Sequence, residues 1–202
     1  MVALLINHGA NVDWKSKEGI PLIHHAISTR SAFFLEALPS AGADTEAKSP
    51  ITDLPDYVGD TPLIHVAETR NARTLKLVLR YEPDLQARNQ EGQTALHIAA
   101  IAQNCQKVRL LLRAGADVHA VDDDHVTPLG CVLDREFPDI KCIKRLLHHG
   151  ADTKRVRGGT SAIEVAREWA GRADGSQNKH WENIIQRLEK KERQNGKAKN
   201  EA

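Results

Sequence analysis

Ten histidines and three cysteines are the side chains of this chain that could hold a metal or attack a carbonyl. His24–His25 and His148–His149 are adjacent pairs. Neighbouring helical residues point about 100° apart, so neither pair forms the i,i+4 clamp of a zinc site. Cys142 and His149 lie about two helical turns apart, but no further ligand accompanies them. Neither H-E-x-x-H nor C-x-x-C occurs. Cys131 or Cys142 assisted by a histidine could serve as a nucleophile, yet Cys131 sits in a helical phrase where a small buried residue suffices. The histidines are expected in loops, at helix ends or on the surface, with His148 and His149 favouring the helix dipole before Gly150. No G-x-G-x-x-G or G-x-x-x-x-G-K loop is present, and the glycines recur instead at a fixed period. No catalytic residue, metal ligand or cofactor is expected.

The elements that would position any site are set by composition and repetition. The 202 residues are 41% hydrophobic, enough for one core or one compact array. A net charge of +1 offers no global field for nucleic acid or membrane. Cys105, Cys131 and Cys142 do not read as a disulfide framework and suit a reducing compartment. The apolar opening, Val2 to Ile6, is too short for a signal-peptide core or a membrane span. An intracellular chain is expected, cytoplasmic or nuclear.

One phrase returns as "GAN" at 9, "GAD" at 42, "EPD" at 82, "GAD" at 115 and "GAD" at 150, at intervals of 33, 40, 33 and 35 residues. A second runs in step: "IPLIHHA", "TPLIHVA", "TALHIAA", "TPLGCVL" and "SAIEVA". Two phrases locked to one period mark a repeat architecture. In residues 88–120, Gly92 supplies a turn and Thr94 caps a helix beginning at Ala95. Pro21, Pro62 and Pro128 hold the first helical position in sibling units. Leu96, Ala99 and Ala100 form one apolar face, and Val108, Leu111 and Leu112 a second. Gly115 ends that second helix.

Neither helix can bury its face alone, so the units must stack into one core. The phrases "GQTALHIAA" and "VRLLLRAGADVHA" closely resemble the ankyrin repeat. The resemblance implies an all-α solenoid with β-hairpin loops, about five repeats plus a partial N-terminal repeat. The array is expected over 1–190: a partial repeat at 1–14, then repeats near 15–44, 45–84, 85–117, 118–152 and 153–190. A basic, disordered tail, 191–202, follows; the stretch "RLEKKERQNGKAK" that runs into it has six basic and two acidic residues and no interleaved aromatic. The resemblance also implies that His97 ties helix to hairpin. Ile23, Ile64, Gly130 and Glu164 occupy the aligned places, so those units are expected to be held less tightly, with Gly130 the weakest. The chain opens inside a unit, with Leu4 and Leu5 lacking a partner helix, which suggests that the natural protein begins upstream. At the other end, "GRADGSQNKH" reads as a long loop before a helix burying Trp181, Ile184, Ile185 and Leu188.

The resemblance further implies a protein-binding scaffold without catalysis, working through hairpin tips and the concave helix surface. A structural spacer within a larger protein is the alternative, and a metal-binding protein or enzyme using the histidines and cysteines a remote one. The expected partner is another protein rather than membrane or nucleic acid, and the expected state is a monomer. Candidate contact residues are Arg88, Asn89 and Gln90 on the third tip, Asp122, Asp123 and Asp124 on the fourth, and Arg155 and Arg157 on the fifth. The bland expectation is that this acidic tip pairs with its basic neighbour, a contact worth about 0–1 kcal/mol. The 40-residue interval carries an insertion with Pro50 and Pro55, which cannot form a helix. Its Ile51, Leu54 and Tyr57, rimmed by Asp53, Asp56 and Asp60, either fold back on the array or project as an anchor.

Overall fold

The computed structural model describes residues 8–50 and 59–200, leaving aside the side chains of 176 and 195–200. Among these residues the chain forms ten α-helices. They are α1 (Leu22–Ser28), α2 (Ala32–Ser40), α3 (Pro62–Glu68), α4 (Ala72–Val78), α5 (Ala95–Ile101), α6 (Cys105–Ala114), α7 (Pro128–Leu133), α8 (Ile140–His148), α9 (Ala162–Arg172) and α10 (Gly175–Asn200). The first helices of successive units, α1, α3, α5, α7 and α9, pack in one row. The second helices, α2, α4, α6 and α8, pack in another, and α10 closes the stack against α9. One apolar cluster runs through both rows, from Ile23 to Leu188. The connections project as turns held by isolated antiparallel bridges, such as Val126 with Arg157, rather than by extended ladders.

The recurring phrase now has a physical meaning. Its first residue is left-handed at every unit: Gly9 (φ 83°), Gly42 (85°), Glu82 (51°), Gly115 (99°) and Gly150 (91°). Its third residue then folds an Asx turn, in which a side-chain oxygen accepts the backbone N–H two residues on. Asn11 does so at 2.9 Å, Asp44 at 2.9 Å, Asp84 at 2.8 Å, Asp117 at 2.8 Å and Asp152 at 3.0 Å. Together the two residues end each second helix and aim the chain at the next hairpin.

The caps agree closely with the sequence reading. Thr61, Thr94, Thr127 and Ser161 are N-caps, with Pro62 and Pro128 at the first helical position. Pro21 sits one place outside its helix, as the N-cap, and bridges to Lys15. The C-terminal end departs from expectation. α10 begins at Gly175, so only Ala173 and Asp174 separate it from α9. It also continues past 190 to Asn200 where disorder was expected. Its early start buries Trp181, Ile184 and Leu188 in one stripe. Its later part is rich in strong helix formers and carries a Glu189–Arg193 pair at 3.6 Å. Ile185 is only half-buried against the core, and Trp169 stacks on Trp181 at 6.2 Å.

No helix among the described residues is long and apolar enough to cross a membrane. Leu4, Leu5 and the first half of the partial repeat, residues 1–7, lie outside the described residues.

Candidate functional site

The third, fourth and fifth tips form a continuous rim. Asn89 and Asp122, 33 residues apart, do the same job. The Asn89 side-chain oxygen accepts the N–H groups of Glu91 (3.0 Å) and Gln93 (2.8 Å). That of Asp122 accepts those of Asp124 (3.1 Å) and Val126 (2.8 Å). Both residues are therefore committed to shaping the turns, and Asp122 is buried. Arg88 is exposed but is also committed: its guanidinium donates to the carbonyls of Gly92 (3.0 Å) and Val121 (2.6 Å). Adjacent tips are stitched by Asp123 N–H to Glu91 carbonyl (3.1 Å) and Gly158 N–H to His125 carbonyl (3.2 Å). Gly92, at φ 70°, lies so close to Asp123 that a side chain there would overlap both its carboxylate and its backbone nitrogen.

The expected pairing between the acidic and basic tips does not form. Arg157 turns back to the framework, with ion pairs to Asp134 and Glu168, each at 3.0 Å. The C-cap of α7 and helix α9 offer these carboxylates nearer to the guanidinium than the tip does. Gln90, Asp123, Asp124 and Arg155 are exposed, so they and not Asn89, Asp122 or Arg157 make the outward face of the rim.

Ile51, Asp53, Leu54, Asp56 and Tyr57 lie outside the described residues, but the roots of their insertion are defined. Ser49 N–H donates to the Asp60 carbonyl (3.0 Å), and Asp60 N–H to the Ser49 hydroxyl (3.1 Å). Asp60, expected on an exposed rim, is buried. Burial, reinforced by the Glu68 and Glu91 charges, pushes its carboxyl up to about 6. Beside this root, a cleft of 340 Å³ opens between the first two hairpins, flanked by Asp13, Lys15, Asp44 and Lys48.

The histidines are not surface residues as a class: His24, His65 and His97 are buried. His97 behaves as the resemblance implied. Its Nδ1 accepts from Thr94 N–H (3.2 Å), and its Nε2 donates to the Val126 carbonyl (3.1 Å). Two of the other units are not left loose. In the first, His24 Nε2 donates to the Ala47 carbonyl at 2.8 Å, the same bridge from one position later. In the fourth, Gly130 removes the obstacle instead: any Cβ there would overlap the Val156 carbonyl, and Thr127 N–H reaches that carbonyl directly at 2.9 Å. Gly130 is thus a requirement of close approach, not a weak point. The sequence signal was available, since glycine stands where the sibling unit carries His97.

Two features escaped the sequence reading. Lys107 is fully buried, and its ammonium donates to the carbonyls of Val66 (2.7 Å), Ala67 (3.0 Å) and Thr69 at the end of α3. Burial lowers it to about 8 against the opposing pull of Glu68. Cys105 and Cys142 are joined by a disulfide, contrary to the expectation that the cysteines stay apart. Gly115 and Gly150 are 35 residues apart, which places Cys142 only two residues beyond the register of Cys105. Both therefore sit in the first turn of neighbouring helices, α6 and α8. The Asp139 carboxylate lies 3.0 Å from Cys105 Sγ. With both sulfurs in the bond, this cluster has no thiolate to offer a metal. Cys131 is buried, and burial pushes its thiol up to about 12, far from a nucleophile's range.

Residues 38–122 match the family described as ankyrin repeats (3 copies). The chain is 30% identical over 129 residues to an ankyrin repeat and KH domain-containing protein, mask-1, of Caenorhabditis elegans, covering 64% of this chain and 5% of that protein. It is 29% identical over 130 residues to the B-cell lymphoma 3 protein homolog of Mus musculus, covering 64% and 28%. It is 30% identical over 173 residues to the nuclear factor NF-kappa-B p105 subunit of Gallus gallus, covering 84% and 16%. The chain thus spans under a third of the length of each of these relatives. With two rows of paired helices, left-handed exits and Asx turns at the same period, the chain is a member of the ankyrin-repeat family.

Proposed function

We propose that the chain is a protein-interaction scaffold whose partner lies along the rim of hairpin tips. Ankyrin repeats generally mediate protein–protein interaction, and proteins built from them are typically non-catalytic. The observation that carries the reading is a division of labour on the tips. Asn89, Asp122, Arg88 and Arg157 fix the turns through hydrogen bonds and ion pairs. Gln90, Asp123, Asp124 and Arg155 stand outward from that rigid frame. A rim of exposed polar groups on an ordered backbone orients a partner with little loss of conformational entropy. Tyr57, in the insertion between Ser49 and Asp60, is the proposed apolar anchor. An intracellular site of action is part of the proposal, and it carries with it that Cys105 and Cys142 are a reduced pair there.

The test is affinity capture with the triple variant Asp123→Lys, Asp124→Lys, Arg155→Glu, which leaves the turn-forming residues intact. Loss of partners captured by the unaltered chain, with an unchanged melting curve, supports the rim. An identical set of captured proteins overturns it.

A further inference from the structure

We infer that a second surface, away from the tips, is a docking groove for an acidic segment of a protein partner. Near-zero net charge conceals a strong local asymmetry. Helices α6 and α8 contain no acidic residue along their whole lengths. Their outward faces meet in a recess of 500 Å³ flanked by Arg109, Arg113, Lys144, Arg145, His148 and His149. Lys144 and His148 also border an adjoining recess of 230 Å³ against α10, which adds Arg187, Lys190 and Lys191. The two form one groove across three helices, and among the described residues no carboxylate borders either recess.

Arg157, Arg167 and Arg172 elsewhere in this chain are each held by a carboxylate. Among the described residues, none of the seven lysines and arginines of the groove takes part in an ion pair of 4 Å or less. Arg109 Nε and Arg145 Nε are hidden from solvent without an acceptor. Seven unneutralised cations repel one another, and an anionic occupant relieves that repulsion. Guanidinium forks favour carboxylates in paired hydrogen bonds. The aliphatic stems of the lysines and the flank of Leu147 give a peptide an apolar floor.

A protein segment fits better than nucleic acid. Single-stranded nucleic acid is held by bases stacked on free aromatic faces. The rings that border the groove, His148 and His149, are packed edge to face on each other at 5.6 Å.

The experiment is fluorescence anisotropy with a labelled oligo-glutamate peptide. Single-stranded and duplex DNA of equal charge and phosphatidylserine vesicles are run alongside. The expected result is saturable peptide binding that weakens with salt. It falls at least tenfold in Arg113→Glu, Lys144→Glu, Lys190→Glu, while Lys17→Glu, Arg30→Glu, remote from the groove, binds as the unaltered chain does. If the reversal variant melts early, Arg113→Gln, Lys144→Gln, Lys190→Gln serves in its place. Absence of saturable peptide binding, tighter binding of DNA or vesicles, or equal weakening by the remote variant overturns the proposal.

Discussion

His24 and His65 lie face to face in the core, with ring centroids 5.2 Å apart and Nδ1 atoms 3.0 Å apart. Because His24 donates through Nε2 to Ala47, its Nδ1 must accept, and His65 Nδ1–H is the donor. Protonating both rings sets two Nδ1–H donors against each other, so the contact holds only while at least one ring is neutral.

That geometry sets a pH dependence. Burial, followed by the charges of His24, His25 and Lys107, drives His65 down to about 3 from 6.5. Burial also lowers His24 and His97. The unfolded chain therefore binds more protons than the folded one below pH 6.5. The stabilisation is fully present above that value and is lost as pH falls from 6.5 towards 3. Asp60, raised to about 6, works in the opposite sense and stabilises as pH falls towards 4. Three histidines against two carboxylates, Asp60 and the burial-raised Glu46, predict a net loss between pH 7 and pH 5 in urea unfolding. The double variant His24→Gln, His65→Gln is expected to flatten that slope; an unchanged slope would exclude the pair as its source.

Gly130→Ala is expected to destabilise the array by at least the roughly 1–3 kcal/mol typical of overpacking. The added methyl overlaps a carbonyl, which cannot rotate away as a side chain would. Equilibrium denaturation measures this directly. A loss below about 0.5 kcal/mol, the level of an ordinary surface change, would contradict the close approach.

Glu82 alone among the five unit exits adopts the left-handed conformation without being glycine. Glu82→Gly removes a backbone cost of about 1–2 kcal/mol, partly offset by glycine's greater freedom when unfolded. A gain of about 1 kcal/mol in chemical denaturation is the expected outcome, with no change in the circular dichroism spectrum.

The Cys105–Cys142 bond closes a loop of 37 residues across two units. Reduction is expected to lower stability by roughly 2–4 kcal/mol. Comparing melts with and without a dithiol, beside Cys105→Ala, Cys142→Ala, measures it. The double variant should show no response to the dithiol.

The period and the caps were readable because each depends on a few residues in sequence order. Thr94, Pro128 and Gly115 act on backbone groups within four residues of themselves. What joins one unit to another was less readable, since it depends on which side chains meet across some 30 to 40 positions. Lys107 lies on the same helical stripe as Leu111, so its burial was implied by the pattern; its three carbonyl partners on α3 were not. The tips show the same limit. Asn89 and Asp122 look like free polar residues until their turns are seen, and Arg157 until Asp134 and Glu168 come within its reach.

The first and third junctions share an imidazole-to-carbonyl bridge, whereas the Lys107 cap belongs to one place in the stack. The ammonium belongs to the third unit and the carbonyls it satisfies to the second. Among the described residues, neither half finds a counterpart at another junction. The order of the units is therefore written into their seams, and a unit excised and reinserted at another place would arrive with a buried cation facing nothing. This array is less a string of exchangeable beads than a set of keyed parts with one admissible sequence of assembly.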